Sequence, residues 1–442
     1  MKLDKYQSQC VYTDKPHVIV IAAAGSGKTR VLTERVKYLL ETGVAPSEIV
    51  AITFTNLAAE EMRERLSDVP MIGDAFIGTI HSFANKIMKS SGEIYQLFTE
   101  ELSLQYHQFL ITRYCRNLTT DRYCEYLKLR KEVEQGKKDE DDLYTFFDYE
   151  EKMDLISIHR DAEKTKEIHE EWVKSGMTSP EPPRDSIATL CIKNHVITFD
   201  ELIERANKYF QSTGSHLDHL LVDEFQDVGR LEAAFFEGLN PEHSFYVGDD
   251  YQSIYGFKGG DVTIFKKLVK NPDYTTYYLS NNYRNGKAIL TVADKVIRQV
   301  PGRIQKEVIG ISTEKGQVTF STRYSIQDTL KSIPSDSYRE YFILTRSNKD
   351  LYKIASLCET LSIPFITFKR EGLKLSELKS LMSSDAVKIL TVHTSKGLEA
   401  DNVILYGNFP LVVPSYYKDA EDERKVMYVG VTRARKNLII LN

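Results

Sequence analysis

The sequence predicts an α/β fold of two parallel-sheet domains, the first carrying a helical insertion. Three observations lead there. Apolar β-type runs alternate with helix-period segments at both ends of the chain; the run HVIVIAA passes through a glycine-rich turn into a helical stretch; and residues 91–197 abandon this rhythm for a charged, helix-patterned sequence. A length of 442 residues suits two to four domains of about 100–200 residues each.

Taken in order, the first segment reads as strand (HVIVIAA), loop, helix (TRVLTERVKYLLETG), strand (EIVAITFT) and helix (NLAAEEMRERLSD). Strand-like runs return at HLLVDEF, SFYVGDD and YTTYYLS. After about residue 276 the alternation restarts with GQVTFSTRY, YFILTRS, PFITF, VKILTVH and NVILYGN, as a second α/β domain requires. The expected boundaries are therefore 1–90 with 198–275 for the first α/β domain, 91–197 for the insertion and 276–442 for the second. A Pro-rich break, SPEPP at 179–183, lies inside the insertion.

Composition narrows the class further. With 42% hydrophobic and 27% charged residues and no apolar run near the about 18 residues of a membrane span, a soluble chain with no membrane partner is expected. The start MKLDKYQSQC lacks an apolar signal core, which points to the cytoplasm. Five scattered cysteines without C-x-x-C spacing argue against a zinc site or a disulfide framework. The net charge of −5 does not itself announce a nucleic-acid partner. The acidity is concentrated in residues 91–197, where 22 acidic side chains face 15 basic ones.

The turn Ala22-Ala23-Ala24-Gly25-Ser26-Gly27-Lys28-Thr29 follows a strand and opens a helix, so it can present backbone N–H groups to phosphate. Lys28 would reach the β/γ oxygens and the Thr29 hydroxyl would ligate magnesium. Ala22 stands where the general pattern has glycine, but the close-approach positions Gly25 and Gly27 are kept. Hydrolysis also needs a metal-holding carboxylate and a group that orients water; in LLVDEFQD, Asp223 and Glu224 follow an apolar strand and can take those two roles.

In these residues and the segments around them the chain resembles the UvrD, PcrA and Rep group of superfamily 1A DNA helicases, and the resemblance runs through nearly all the ordered motifs. LDKYQ is similar to the Q motif, AAAGSGKTR to motif I with Ala23 in place of the usual glycine, ITFTNLAAEEM and GTIHSF to motifs Ia and Ib, and VITFDEL and LLVDEFQD to the segment leading into motif II and motif II itself. VGDDYQSIYGFKGG resembles motif III, LSNNYRN the arginine-bearing motif after it, TVHTSKGLEADNV motif V and YVGVTRARKNL motif VI. The resemblance implies two RecA-like P-loop NTPase domains with a 1B-like insertion, using ATP and Mg2+. It implies Gln7 on adenine, Tyr283 stacked on the base with Arg30 nearby, Glu399 near the ribose and Gln252 sensing the γ-phosphate. Arg284 and Arg433 would reach across from the second domain as fingers, because phosphoryl transfer develops charge that a guanidinium can neutralise.

By the same resemblance, single-stranded DNA would run over Phe54, Tyr255 and Phe257, with His81, His393, Thr55, Asn56, Thr79 and Lys258 as polar contacts. Base stacking on aromatic faces tolerates any sequence and so suits a motor. Tyr255 and Phe257 would point the same way if their segment were extended. The family usually has tryptophan and arginine where Phe257 and Lys258 stand, and the single tryptophan, Trp172, lies in the insertion. Relatives also carry a helical 2B domain where this chain has only about residues 369–386, some twenty residues against the about 40 that a domain needs.

The implied activity is ATP-dependent translocation on single-stranded DNA with 3′ to 5′ unwinding of tailed duplexes, with a possible protein partner in repair, replication, recombination or defence. Two rivals stay open: a DNA-stimulated motor that moves on or senses DNA without separating strands, and a nucleotide-gated DNA-binding subunit without turnover.

Overall fold

The computed structural model describes residues 2–70, 72–93, 95–97, 116–134, 146–148, 150–151, 196–370, 372–407, 409 and 420–442. The strands are β1 (His17–Ala22), β2 (Ile49–Thr53), β3 (Phe76–Thr79), β4 (Gln96–Leu97), β5 (Val196–Ile197), β6 (Leu217–Val222), β7 (Pro241–Gly248) and β8 (Thr275–Leu279). There follow β9 (Asn281–Asn282), β10 (Ile309–Gly310), β11 (Gln317–Ser321), β12 (Tyr341–Thr345), β13 (Phe365–Ile366), β14 (Val387–Thr391), β15 (Ala400–Tyr406) and β16 (Ala434–Leu441).

Two six-stranded, all-parallel sheets organise the larger compact unit, which comprises residues 1–87 and 206–442. The first has the order β3-β2-β6-β7-β1-β8 and the second β11-β16-β15-β12-β14-β13. Central strands are buried on both faces, as parallel sheets between helices require; β1 and β2 read as unbroken apolar runs for that reason. Core residues of the second sheet, among them Leu390, Val392 and Tyr428, join Ala24, Leu57, Tyr251 and Ile254 of the first in one cluster, so the two sheets share a continuous apolar interface.

Several expectations shift. Strand β8 pairs in parallel with β1 from Val18↔Thr275 to Ala22↔Leu279, so the first sheet runs to Leu279 and not to the expected boundary at 275. Strands β3 and β16 were not anticipated. FIGT is short and contains glycine, and β16 opens with the charged ARKN before its apolar half. The segment after Tyr255 is a 3-10 turn, Gly256–Lys258, rather than extended chain, because Gly259 closes it at φ +95°.

The second compact unit covers residues 88–205, bracketing the expected insertion; the helices Ile80–Ser91 and Phe199–Ser212 run across its two limits. Its described part includes the helix Thr120–Glu134 and the short parallel pair β4–β5. Trp172, Cys115, Cys191 and the 179–183 break lie outside the described residues. No helix among the described residues is long and apolar enough to cross a membrane.

In place of a domain between β13 and β14, a nine-residue helix, Leu375–Ser383, docks on the helix Asn56–Arg65. Glu60 Oε2 accepts from the Leu375 amide at 2.8 Å, Lys379 pairs with Glu64, and Leu378 is buried in the shared core.

Candidate functional site

The carboxyl ends of β1, β6 and β7 converge, the place where open α/β sheets hold ligands. After β1 the chain turns through Gly25 and Gly27, both at positive φ, and Gly27 begins the helix Lys28–Glu41. A Cβ on Gly25 would stand 2.7 Å from the Arg284 Cβ, and one on Gly27 2.9 Å from Gln7 Nε2; glycine is required for both conformation and close approach. Gln7 Nε2 donates to the Ser26 carbonyl at 3.1 Å, so the side chain expected on adenine abuts the loop. The Asp4 side chain and the Gln7 side chain exchange capping hydrogen bonds with each other's backbone N–H. The Tyr283 amide donates to Gly25 O at 3.0 Å, its hydroxyl to Asp4, and its ring is exposed beside the loop.

Lys28 Nζ lies 2.8 Å from Glu224, and Thr29 Oγ1 donates to Asp223 Oδ2 at 3.5 Å. Glu224 adopts φ +52°, a conformation non-glycine residues rarely take, and its amide donates to Asp223 Oδ1. Burial and the adjacent Glu224 charge push the Asp223 carboxyl up. Burial would raise Glu224 as well, but the ammonium groups of Lys28 and Lys396 outweigh it and hold Glu224 well below the usual carboxylate range. A hydroxyl and a carboxylate oxygen 3.5 Å apart fit neighbouring positions around Mg2+, whose bonds of about 2.0–2.1 Å bring such pairs to about 3 Å. Thr29 and Asp223 are thus the residues that would hold the ion.

From the second sheet, Arg433 is only 1% exposed, and its Nη2 donates to Gln252 Oε1 at 3.1 Å. Burial, reinforced by Arg284, lowers the guanidinium to about 9, still cationic at neutral pH. Arg284 bonds Glu399 and donates to Thr432 O at 3.4 Å, so Glu399, expected near a ribose, is paired to an expected finger. Arg30 starts the helix facing this cleft and is half-buried. Ala22, Ala23 and Ala24 are buried under the loop, and Asn282 Nδ2 donates to Ala24 O at 2.6 Å.

Next to the cleft, Phe54 stacks on Tyr255 at 5.3 Å and 19°. Tyr255 lies 6.1 Å from Phe257, and Phe257 meets His393 edge-on at 5.4 Å. Phe54, Tyr255, Phe257 and His393 therefore form one aromatic patch contributed by both sheets, with Phe257 70% exposed. Thr55 caps the helix whose first residue is the exposed Asn56. Thr53 and Thr79 are register partners at the ends of β2 and β3, which puts Thr79 and His81 along the same rim. Lys258 ends the turn after Phe257; its side chain lies outside the described set.

Several connecting residues are not among those the sequence singles out. Lys396 pairs with Asp227, lies 3.7 Å from Glu224 and sits over the Tyr255 ring at 4.8 Å, bridging cleft and patch. Gln226 Nε2 donates to Glu224 Oε2 at 2.6 Å, and Lys306 pairs with Asp249 and Asp250. The available signal was the run Asp249-Asp250 behind an apolar strand: adjacent buried carboxylates need a cation.

Known proteins resemble this chain over most of its length. The UvrD/REP helicase N-terminal domain pattern matches residues 3–273, and the UvrD-like helicase C-terminal domain pattern matches residues 367–442. A probable DNA helicase of Mycoplasma pneumoniae is 28% identical over an alignment spanning 100% of this chain and 83% of that protein. A probable DNA helicase II homologue of Mycoplasma capricolum is 27% identical over 88% of this chain and 55% of its own length. The ATP-dependent DNA helicase PcrA of Staphylococcus aureus is 26% identical over 80% and 47%. The chain spans about half the length of these last two relatives.

Proposed function

The chain belongs to the UvrD/REP helicase family, and from that premise we propose that it is an ATP- and Mg2+-dependent motor that moves along single-stranded DNA and unwinds tailed duplexes in the 3′ to 5′ direction. The observation that carries this reading is the meeting of Arg433 from the second sheet with Gln252 from the first, beside Lys28 and Glu224. Hydrolysis requires charge on the transferring phosphoryl group to be neutralised from both sides, and these residues supply cations from both sheets.

In this reading Gly25, Gly27 and Lys28 bind phosphate, Thr29 and Asp223 would hold a magnesium ion, which would neutralise further charge, and Glu224 accepts a proton from the attacking water. Lys28 must leave Glu224 to reach phosphate, which frees the base in the same movement. Gln7 and Tyr283 hold the adenine. Phe54, Tyr255 and Phe257 stack on bases, and Lys396, touching both the Tyr255 ring and Asp227, offers a path from DNA to the base.

The short docked helix Leu375–Ser383 favours a second reading, a motor that moves without separating strands, because so few residues leave little to wedge into a duplex. Measuring ATP hydrolysis with and without single-stranded DNA, and strand displacement on 3′-tailed and 5′-tailed duplexes, separates these. DNA-stimulated hydrolysis with displacement of 3′-tailed substrates alone is expected. Stimulated hydrolysis without displacement leaves the second reading, and no hydrolysis leaves a nucleotide-gated binding subunit.

A further inference from the structure

A buried lysine far along the chain from any of the motifs faces the back of the nucleotide cleft. Lys306 lies in the loop between the helix Lys287–Ile297 and β10, and its side chain is 2% exposed. Its ammonium donates to Asp249 Oδ1, to Asp250 Oδ1 at 2.9 Å and to the Ala22 carbonyl at 3.1 Å, which satisfies all three of its protons. The same nitrogen stands 3.7 Å from the Tyr251 ring centroid. The loop is pinned beside it: Asp250 Oδ2 accepts from the Ile304 amide and the Tyr251 hydroxyl donates to the Ile304 carbonyl, both at 2.8 Å.

Asp249 is fully buried and sits at a branch point. Its Oδ2 accepts from Gln252 Nε2 at 2.6 Å, and Gln252 Oε1 accepts from Arg433 at 3.1 Å. The Asp249 amide donates to Gln226 Oε1 at 2.8 Å, and Gln226 Nε2 donates to Glu224 and Asp227. A side-chain amide has one donating and one accepting end. The Asp249 carboxylate only accepts, so it draws the Gln252 NH2 toward itself and leaves the oxygen for Arg433, which only donates. Lys306 and the Tyr251 amide hold Asp249 Oδ1, which leaves Oδ2 for Gln252. A buried carboxylate needs a counter-charge, and Lys306 is that charge.

We infer that Lys306 is a positioning residue for ATP hydrolysis: by holding the Asp249 carboxylate in place it fixes the direction of the Gln252 amide, and with it the contact between Gln252 and Arg433. The inference rests on the ATPase reading above. It also ties the loop after the first helix of the second α/β domain to the end of β1, where the phosphate-binding turn begins.

The test compares DNA-stimulated ATPase kinetics, fluorescent ADP binding and melting temperature for wild type, Lys306→Met, Lys306→Arg and the double variant Lys306→Met with Asp249→Asn. Misplacing a group near a reacting centre by about 1 Å costs up to about a hundredfold. Lys306→Met should lower kcat by about ten- to a hundredfold with KM and ADP affinity nearly unchanged, and Lys306→Arg should recover part of the loss. The double variant removes one of the two buried carboxylates that Lys306 pairs and leaves Asp250, so it should regain part of the melting temperature but not kcat, because an asparagine does not dictate the amide direction. Recovery of kcat together with stability in the double variant would reduce Lys306 to charge compensation and overturn the inference, as would an unchanged kcat in Lys306→Met. A wild-type protein without ATPase activity overturns the functional reading and this one together; an active wild type with an indifferent Lys306→Met overturns this one alone.

Discussion

The cleft around the glycine-rich turn is largely buried and charged, whereas the aromatic patch beside it is open and mostly apolar. In the cleft, Lys28, Glu224, Asp227, Gln252, Lys396 and Arg433 hold one another through short hydrogen bonds and ion pairs, most of them buried. In the patch, Phe54, Tyr255, Phe257 and His393 touch through ring faces and edges, and Phe257 is largely in solvent. On the proposed function, the contrast follows from what each meets. Phosphoryl transfer needs charges fixed before the reaction and shielded from water, while a strand that slides through needs faces it can leave as readily as it joins. Damage in the cleft should therefore abolish turnover, and damage in the patch should only weaken a grip.

The sharpest trial of that contrast is Arg433. Removing a finger costs about a thousandfold or more in kcat. Arg433→Lys keeps the charge but loses the fork that reaches Gln252 Oε1, Val429 O and Leu398 O together, so a loss of that order is expected with nucleotide affinity little changed. Arg284→Ala, at a more exposed side chain already engaged by Glu399, should cost less. Steady-state ATPase measurements decide it; a rise in KM at constant kcat for both would assign them to ground-state binding.

Glu224→Gln comes next. The amide keeps the shape but cannot accept the proton, so turnover should fall by about a hundredfold or more while ATP and DNA still bind. Its pairing with Lys28 would be lost too, and nucleotide affinity should hold or improve. Hydrolysis within about threefold of wild type would remove Glu224 from the base role.

Arg433 comes only with the family resemblance, whereas Glu224 could be read from sequence because its chemistry demands a residue type at a fixed distance from a strand end. The Lys28-Thr29 pair after β1 and Asp223-Glu224 after β6 are such cases, and most strands announced themselves as apolar runs. What could not be read is what depends on which strands become neighbours. Strand β8 belongs to the first sheet because it hydrogen-bonds to β1, a fact no local pattern holds. Lys306 and Lys396 look like ordinary solvated lysines until the fold sets them against buried carboxylates. The aromatic patch was legible in membership but not in conformation: Tyr255 and Phe257 flank a glycine turn, and the rings approach by curling rather than by alternation on a strand.

Phe257→Ala tests the other half of the comparison. Base stacking on an aromatic side chain contributes about 1–3 kcal/mol, so affinity for single-stranded DNA should fall by about 5- to 150-fold. Because the ring is 70% exposed, melting temperature should barely change, and DNA-free ATPase should stay at the wild-type level. Phe54→Ala should weaken DNA binding and also disturb Tyr255, on which it stacks. A Phe257→Ala protein that loses DNA-free ATPase would show that patch and cleft are not separable in this way.

The smallest effect concerns pH. Burial, with Arg346 and then Lys396 nearby, lowers His393 to about 4, and burial beside His243 lowers His219 to about 4. Both imidazoles are thus neutral in the folded protein across the neutral range. A histidine that stays neutral when folded but protonates near 6.5 when unfolded favours the folded state above about pH 6.5 and progressively less as pH falls toward 4. Melting temperature should therefore be flat from pH 7 to 8 as far as these groups go, and should fall between about pH 6.5 and 4. Single-stranded DNA affinity should likewise carry no His393 transition between pH 6 and 8, because this imidazole meets DNA as a neutral donor or acceptor and not as a cation. A DNA-binding titration with a midpoint near pH 6.5 that disappears in His393→Gln would show that this imidazole is solvated and charges freely, and that the patch contributes charge as well as ring faces.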